Sequence, residues 1–529
     1  MIFHETIHLG PRPQTWTSDW SRIMTHTHHM RGEGFSLEET NQKLIEWCSK
    51  FDIQAVGVGS PWEPVSSEAY GRYEGAERDA YYAGRIAMDD VKGEKEVRHL
   101  LSDLNQQAQG KTTFYLDNET PKCRYGHIWW FGWNFDVPAW HDYSQDRPIQ
   151  YFRADQEIEI NPLTGMPHRR RPYLEIFREQ RLCGARGIWA HPTSWWWEGD
   201  KFITNIASDA GVHLLTQGRL DGMVVMGYHP YRTDYLNLWY DWLDLGAVIP
   251  AFAEMDAVHN RPTMYSNSEQ PTICAMRTAS TDPKDLTACA ARGECVSTTG
   301  ASLWLESDQV GMGGIHRLQS GDQVSLTLSA WPAQGESHFS RLQLIGKNGR
   351  IIQEWENFPG GQIQLQFEVQ ETPGYLLLLG FGPLDDPHIR PEKEIESLAI
   401  SNPIYFQAPD WSYSPTRTQL RLSAGENSIY QGQQVQAIDH QSKIIWEGCL
   451  DQTHELDLPG DASLRFPERR GDPDLFLCME NAAVQEIIAY LWQGLFLDDY
   501  PDLQPGQVPP QAWKLDKLSR ALQEQELIL

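Results

Sequence analysis

The stretch SRIMTHTHHMRGEGFSLEETNQKLIEWCSKFDIQAVGV, residues 21–58, predicts a strand, a helix and a second strand in succession. Ser36 and Glu39 are spaced as a capping box, and apolar residues then recur on one helical face to about residue 50. The apolar run Ile53 to Val58 predicts the second strand. This order is typical of a unit in which a helix crosses between two parallel strands.

The same alternation continues to about residue 252. Apolar runs predict strands at 112–116, 128–131, 187–190, 223–226 and 247–252, and helical patterns fall at 93–108, 173–182, 201–210 and 234–245. The total is about seven strands, most of them separated by helices. This pattern favours an α/β fold, either a parallel barrel or a related layered sheet.

The pattern changes after about residue 280. Short alternating runs such as QVSLTL (323–328) and IQLQF (363–367), separated by Gly, Pro and Asn turns, predict a β-sandwich. From about residue 410 further strand-like pieces precede a helix-prone end. We therefore expect a catalytic domain over 1–280, a β-sandwich over 281–408 and a small α+β region over 409–529 that ends in helices.

Composition narrows the class of partner. The chain has 529 residues, with 44 Lys and Arg against 72 Asp and Glu, and a formal charge of -28. Such a surface repels phosphate backbones and anionic lipids, so we expect neither a nucleic-acid nor a membrane partner. The triple arginine 169–171 is either a solvated loop or a grip on an anionic substrate group. Oligomeric state cannot be read from the sequence.

Cysteines and the amino terminus predict a cytoplasmic location. The eight cysteines have no CxxC pair and no regular spacing, which fits neither a disulfide framework nor a zinc ribbon. Residues 1–10 lack the basic start and apolar stretch of a leader, and no run of about 18 apolar residues occurs.

Imidazoles and carboxylates cluster where the predicted strands end. Two imidazoles two residues apart in an extended segment would point to the same side, as in His26-Thr27-His28. His127 opens the fourth strand, so it shares this edge only if that strand follows the third as a hairpin. The other side chains at or just past strand ends are Glu119, His191 and Asp256. Together they are the donor set that a borderline metal ion prefers.

Tryptophan is unusually abundant, with 21 residues. Clusters such as Trp129-Trp130 and Trp195-Trp196-Trp197 either pack in the core or line a cleft for a sugar or aromatic ring. Both interpretations remain open at this point.

Four segments, taken in order, resemble the PHP (polymerase and histidinol phosphatase) superfamily of metal-dependent hydrolases, and more narrowly its CehA/McbA branch. They read HTHHMRGEG, LDNETPKCRYGHIWW, IWAHPTSWWW and LDLGAVIPAFAEMDA. The later segments LTACAARGECVSTTGASLWLE and LAISNPIYF are also similar to that branch. The resemblance covers about residues 20–406.

The resemblance implies a distorted (β/α)7 barrel, with metal ions at the strand ends, followed by the β-sandwich. Departures occur at Gly59-Ser60-Pro61, where many members have a histidine, and at Val258, where the last motif would carry another. These losses imply one or two divalent ions (Zn, Mn or Fe) instead of three. The residues that match metal ligands of the family are His26, His28, Glu119, His127, His191 and Asp256.

A metal-dependent hydrolase is the function that this set predicts. Metal-activated water would cleave an ester-type bond, whether carboxyl, carbamoyl or phosphoryl, with His229 or His259 protonating the leaving group. The acidic surface and the tryptophans favour a neutral saccharide or aryl substrate. Two alternatives remain open: a degenerate site in a carbohydrate-binding protein, and a metal-dependent sugar lyase or isomerase.

Overall fold

The structure is a computed structural model, and strands dominate the residues it describes. These are 2–28, 37–59, 94–120, 128–132, 158–160, 167–169, 184–192, 195–198, 201–204, 220–227, 233–244, 246–255, 257–258, 271–383, 397–411, 417–424, 430–439, 443–459, 462–465, 467, 475–476 and 526–528. Strands account for 48% of them and helices for 17%.

The strands fall into three groups along the chain. The first group is β1 (Ile2–Leu9), β2 (Ser21–His28), β3 (Ala55–Gly59), β4 (Thr113–Thr120), β5 (Ile128–Phe131), β6 (Ile158–Ile160), β7 (Pro167–Arg169), β8 (Arg186–Trp189), β9 (Trp195–Glu198), β10 (Lys201–Thr204), β11 (Gly222–Met226), β12 (Ala251–Ala253) and β13 (Ala257–Val258). The second is β14 (Ile273–Met276), β15 (Cys295–Thr298), β16 (Ser302–Ser307), β17 (Ile315–Arg317), β18 (Gln323–Trp331), β19 (Phe339–Gly346), β20 (Arg350–Phe358), β21 (Gly361–Glu368), β22 (Gly374–Phe381), β23 (Leu398–Ser401) and β24 (Ile404–Gln407). The third is β25 (Arg417–Ser423), β26 (Gln434–Ile438), β27 (Ile444–Cys449), β28 (His454–Pro459), β29 (Ser463–Arg465), β30 (Leu475–Phe476) and β31 (Glu526–Ile528).

The described helices are fewer than the strands and contain fewer residues in total. They are α1 (Thr15–Ser18), α2 (Leu37–Lys50), α3 (Glu94–Ala108), α4 (Thr233–Asp244) and α5 (Pro283–Ala291). Helices α2, α3 and α4 confirm the predictions over 37–50, 93–108 and 234–245. The helix predicted over 201–210 is wrong at its start, because β10 pairs there with β9 as an antiparallel hairpin. The helix predicted over 173–182 lies outside the described residues.

One continuous sheet of 16 strands forms the centre of the molecule. Its main order is β12-β11-β8-β5-β4-β3-β2-β14-β15-β23-β22-β19-β20. The pairs β2 with β3, β3 with β4, β8 with β11 and β11 with β12 are parallel. Strand β5 runs antiparallel to both of its neighbours, so β4 and β5 are joined as a hairpin.

Strand β2 is where the two halves of this sheet meet. Residues 21–23 of β2 pair antiparallel with β14, whereas residues 27–28 pair in parallel with β13. Beyond β14 the paired strands β15, β23, β22, β19 and β20 are all antiparallel. Several strands of the carboxyl-terminal half of the sequence thus extend the sheet of the amino-terminal half.

A second sheet packs against the antiparallel half. Its order is β1-β21-β18-β16, so the amino-terminal strand β1 lies at one edge, paired with β21. Side chains of β21 alternate between buried and exposed, and the buried ones join a core with those of β19 and β22. Two faces therefore enclose one apolar layer, as in sandwiched sheets.

The residues beyond 410 form smaller sheets. Strands β28, β25 and β31 make one, and β27, β26, β29 and β30 make another. A third apolar cluster, which includes Leu422, Val435 and Leu464, lies among them. No described helix is long and apolar enough to span a bilayer.

The predicted α/β fold class is wrong, because the described chain is mostly strand, and the TIM-like barrel is not seen. Local patterns identified several βα units correctly. They could not show that β14, some 250 residues from β2 in sequence, pairs with one edge of β2. Once that edge is filled by an antiparallel strand, the sheet continues into the carboxyl-terminal strands.

Candidate functional site

His26 lies at a bulge in β2. Met24 pairs with Val56 and Thr27 pairs with Val58, so two residues of β2 oppose Gly57 alone. His26 has φ 55°, in the left-handed region, and its side chain is fully buried. Bulges of this kind redirect a side chain and are frequent beside functional sites. The expectation that 26–28 is regularly extended is therefore wrong at His26.

Glu254 connects two histidines. Its Oε2 accepts a hydrogen bond from Nδ1 of His26 at 2.6 Å, and its Oε1 accepts one from the backbone N–H of His191 at 2.9 Å. The carboxylate is 1% exposed. Because a carboxylate only accepts, the proton of a neutral His26 lies on Nδ1 and the lone pair on Nε2.

The strands around Glu254 fix its position. It follows β12 directly, and its backbone N–H donates to the carbonyl of Met226 at 2.9 Å, at the end of β11. Its own carbonyl accepts the hydroxyl of Thr272. Gly227 gives the side chain room, since a Cβ there would lie 2.8 Å from Cγ of Glu254. The backbone of Glu254 is therefore held on both sides, by the carbonyl of Met226 and by the hydroxyl of Thr272.

His191 follows β8 and completes the group. Its φ is 24°, its exposed fraction is 2%, and its ring centroid lies 5.4 Å from that of His26. One donor atom from each of His26, His191 and Glu254 lies within 4.8 Å of the other two. Two imidazoles and a carboxylate suit zinc, manganese or iron, so the chemistry of the donors fits a divalent cation.

Trp129 packs against the ring of His26, and Asp117 in turn holds Trp129. The indole of Trp129 stacks on the imidazole, with centroids 4.2 Å apart and planes 20° apart. Its Nε1 donates to Oδ2 of Asp117 at 2.8 Å, and the N–H of Gly132 donates to Oδ1 at 2.7 Å. Burial raises the pKa of Asp117 to about 8, against the lowering effects of these two bonds and of His26. Ring orientation at His26 is thus set by packing as well as by Glu254.

The structure brings together two of the six predicted metal ligands, His26 and His191. The backbones of His28 and Glu119 lie near the ends of β2 and β4, and their side chains are outside the described part. His127 and Asp256, together with the predicted proton donors His229 and His259, also fall outside it. The assignments of these six residues as ligands or proton donors therefore stay predictions.

Sequence reasoning missed Glu254. The segment AFAEMDA carries acids at both 254 and 256, and the family resemblance directed attention to the second. Its position could have identified it, because Glu254 is the first residue after the apolar run that forms β12, where site residues were expected. Asp117 was missed in the same way, two residues before Glu119.

Two of the clustered tryptophans belong to the core. Trp129 and Trp130 are 1% and 0% exposed, although they are consecutive on β5. Both can be buried because both faces of the sheet are covered at this strand. The side chains of Trp195, Trp196 and Trp197 on β9 are outside the described part.

Comparison with known proteins identifies no family. No family model matches the chain, and no curated protein matches it. Among solved structures, BcpA, the major pilin subunit of Bacillus cereus, is 9% identical over 33% of this chain and 60% of the pilin chain, with a TM-score of 0.14. A point variant of the same pilin gives 8% identity and the same TM-score. The resemblance to PHP proteins stays a hypothesis.

Proposed function

We propose that the protein is a metal-dependent hydrolase that cleaves an ester-type bond. The observation that supports this is the buried group of His26, His191 and Glu254, whose donor atoms lie within 4.8 Å of one another. Burying two imidazoles and a carboxylate together is costly unless they share a proton or a cation. The three residues lie in β2 and just after the ends of β8 and β12, which are not adjacent in the order of the sheet.

His26 and His191 would hold the ion through ring nitrogens. Glu254 keeps the proton of His26 on Nδ1, which leaves Nε2 as the basic atom, in the manner of carboxylates that orient metal-binding histidines. The same carboxylate ties the backbone of His191 to this arrangement. Trp129 excludes water from one face of His26 and limits rotation of the ring.

A bound divalent cation would supply Lewis-acid activation of water and of the oxygen at the bond to be cleaved. The leaving group needs a proton from the chain, for which His229 and His259 remain the predicted donors. The substrate class stays as the sequence predicts: a neutral ester, with a saccharide or aryl group.

Metal content of the purified full chain tests the site. Glu254→Gln is the sharpest variant, because glutamine can still accept from the N–H of His191 but presents an amide N–H to Nδ1 of His26. The histidine must then carry its proton on Nε2, which removes the binding lone pair. We expect Glu254→Gln and His191→Ala each to lose most of the metal measured by mass spectrometry.

His99→Ala is the matched control. His99 is 79% exposed on α3, where its imidazole pairs with Asp103, so its loss should leave the metal content unchanged. Equal metal in all four proteins would refute the site. Turnover is then measured on 4-nitrophenyl acetate, an aryl carbamate and a phosphodiester. Metal binding without hydrolysis of any of them would refute the hydrolase and leave a binding protein or a lyase.

A further inference from the structure

A cavity lies at the opposite end of β2 from His26. Its volume is about 450 Å³, within the range of small-molecule sites. It is enclosed by the segment between β1 and β2, by the ends of β15 and β18, and by the start of β16. Arg22 lines it, four residues before His26, or about 13 Å along an extended strand. The two sites are therefore separate.

Two arginines face this cavity. Arg12 uses one Nη to donate to the carbonyl of Pro332, and the backbone N–H of Arg22 donates to Gln54. Burial lowers the pKa of both guanidinium groups, and the charge of Arg22 further lowers that of Arg12. Both side chains are partly buried, and a partly buried guanidinium is stabilised by an anionic partner, so two that repel each other define a place for one.

The carboxylates of the cavity do not fill that role. Asp52 is exposed, and Glu336 accepts from the backbone N–H of Ala333 at 3.2 Å and from the hydroxyl of Ser397. Within the described part of the chain, neither carboxylate forms an ion pair with Arg12 or Arg22, although each acts on one of them at longer range. At longer range Asp52 and Glu336 offset part of the positive charge of the two arginines, which favours a monoanion over a doubly charged phosphate.

Tryptophans supply a flat wall. Trp16 and Trp20 are half-buried and stack with centroids 4.8 Å apart and planes 10° apart. Trp331 meets Trp16 edge to face at 4.9 Å and is held by a bond from its Nε1 to the carbonyl of Gly10. Rigid indoles of this kind bind flat rings, whether aryl or saccharide.

We propose that this cavity binds a small carboxylate carried on a flat ring, with the carboxylate between Arg12 and Arg22 and the ring against the tryptophans. The site is independent of the metal group and of the hydrolase activity. Planar guanidinium groups match carboxylates in geometry as well as charge. An arene carboxylate and a sugar acid both present this head group on a ring that can lie against an indole face.

Calorimetric titration of the full chain with benzoate and with glucuronate tests the proposal, with benzamide as the uncharged match. We expect saturable binding of at least one carboxylate and none of benzamide. Arg22→Gln should weaken it at least about tenfold, because a hydrogen bond to a charged group is lost. Arg22→Lys should retain part of the affinity. Arg12→Gln, outside the strands, is the second variant in case Arg22→Gln fails to fold.

Arg350→Gln, an exposed arginine on β20, serves as the control and should bind as the wild type does. Three results would overturn the proposal: no saturable binding of either carboxylate, equal binding of benzamide, or equal affinity in both cavity variants and the control. Stronger binding of inorganic sulfate than of either carboxylate would also overturn it, since the ring would then contribute nothing. Metal content serves as an independent readout that these variants should leave unchanged.

Discussion

Glu254 accepts hydrogen bonds from Nδ1 of His26 and from the backbone of His191, at 2.6 and 2.9 Å, and so joins two residues that are 165 positions apart. Both histidines have positive φ, at 55° and 24°. Backbone of this kind costs about 1–3 kcal/mol per residue and persists where the surroundings hold it. The strain and the shared carboxylate together indicate a site built for a purpose other than packing.

Gly227→Ala should disturb this carboxylate without touching either histidine. The new methyl would lie 2.8 Å from Cγ and 3.0 Å from Oε1 of Glu254, so the side chain must shift. We expect a loss of about 1–3 kcal/mol in the free energy of unfolding, measured in urea, and a lower metal content. Gly10→Ala is the control, because a Cβ there meets nothing within 4 Å. Equal effects of the two substitutions would contradict the prediction.

Trp129→Phe should cost more stability than the same change at Trp242. Both indoles are buried, but Nε1 of Trp129 donates to Asp117, whereas Nε1 of Trp242 has no acceptor among the described residues. Phenylalanine at 129 leaves a buried carboxyl oxygen without its donor. We expect a difference of about 1–3 kcal/mol between the two variants in urea unfolding. Indistinguishable midpoints would show that the bond to Asp117 contributes little.

Asn402→Leu should strongly destabilise the contact between β12 and β15. The buried amide accepts from the N–H of Ala251 at 2.7 Å and donates to the carbonyls of Ala251 and Cys295 at 3.1 and 2.9 Å. Leucine leaves the N–H of Ala251 without its acceptor and removes the amide donor from both carbonyls, of which that of Ala251 keeps only a thiol donor at 3.5 Å, for an expected loss of about 3 kcal/mol. Gln364→Leu, at an exposed amide on β21, should change thermal unfolding far less. A small loss at Asn402 would mean that these strands are held mainly by their ladders.

Alkylation of native protein should spare the buried thiols. Burial raises the pKa of Cys48, Cys274 and Cys289 to about 12, so at pH 8 only about one in 10⁴ of each is thiolate. Of the five cysteines that the structure describes, the partly exposed Cys449 should react first with iodoacetamide. Each pH unit between 7 and 9 raises the thiolate fraction of the buried cysteines tenfold. Labelling of the native protein should nevertheless stay far below labelling of the protein unfolded in urea. Peptide mass spectrometry measures each site, and early modification of Cys274 would disprove its burial.

Local periodicity was enough to predict several elements. The helices over 37–50 and 94–108 follow from apolar residues on one face, because that face must be buried wherever the helix packs. The sequence did not show whether β4 and β5 form a hairpin. It showed only that His127 would lie at the shared edge of the strands if they did. Two strands that are close in sequence often pair, but whether they pair parallel or antiparallel depends on the segment that joins them.

The sequence by itself indicated His26 and His191 as candidate ligands and several of the alternating strands and helices, since both depend on side-chain chemistry and short-range spacing. Only the tertiary structure decided that β14 borders β2, that a bulge turns His26 inward, and that Glu254 is the acid that joins the histidines. The first and third outcomes depend on contacts between segments more than 200 residues apart, and the bulge depends on the register of β2 against β3. A one-residue change of register at β2 reverses which side chains face inward. No pattern within a single segment carries that register.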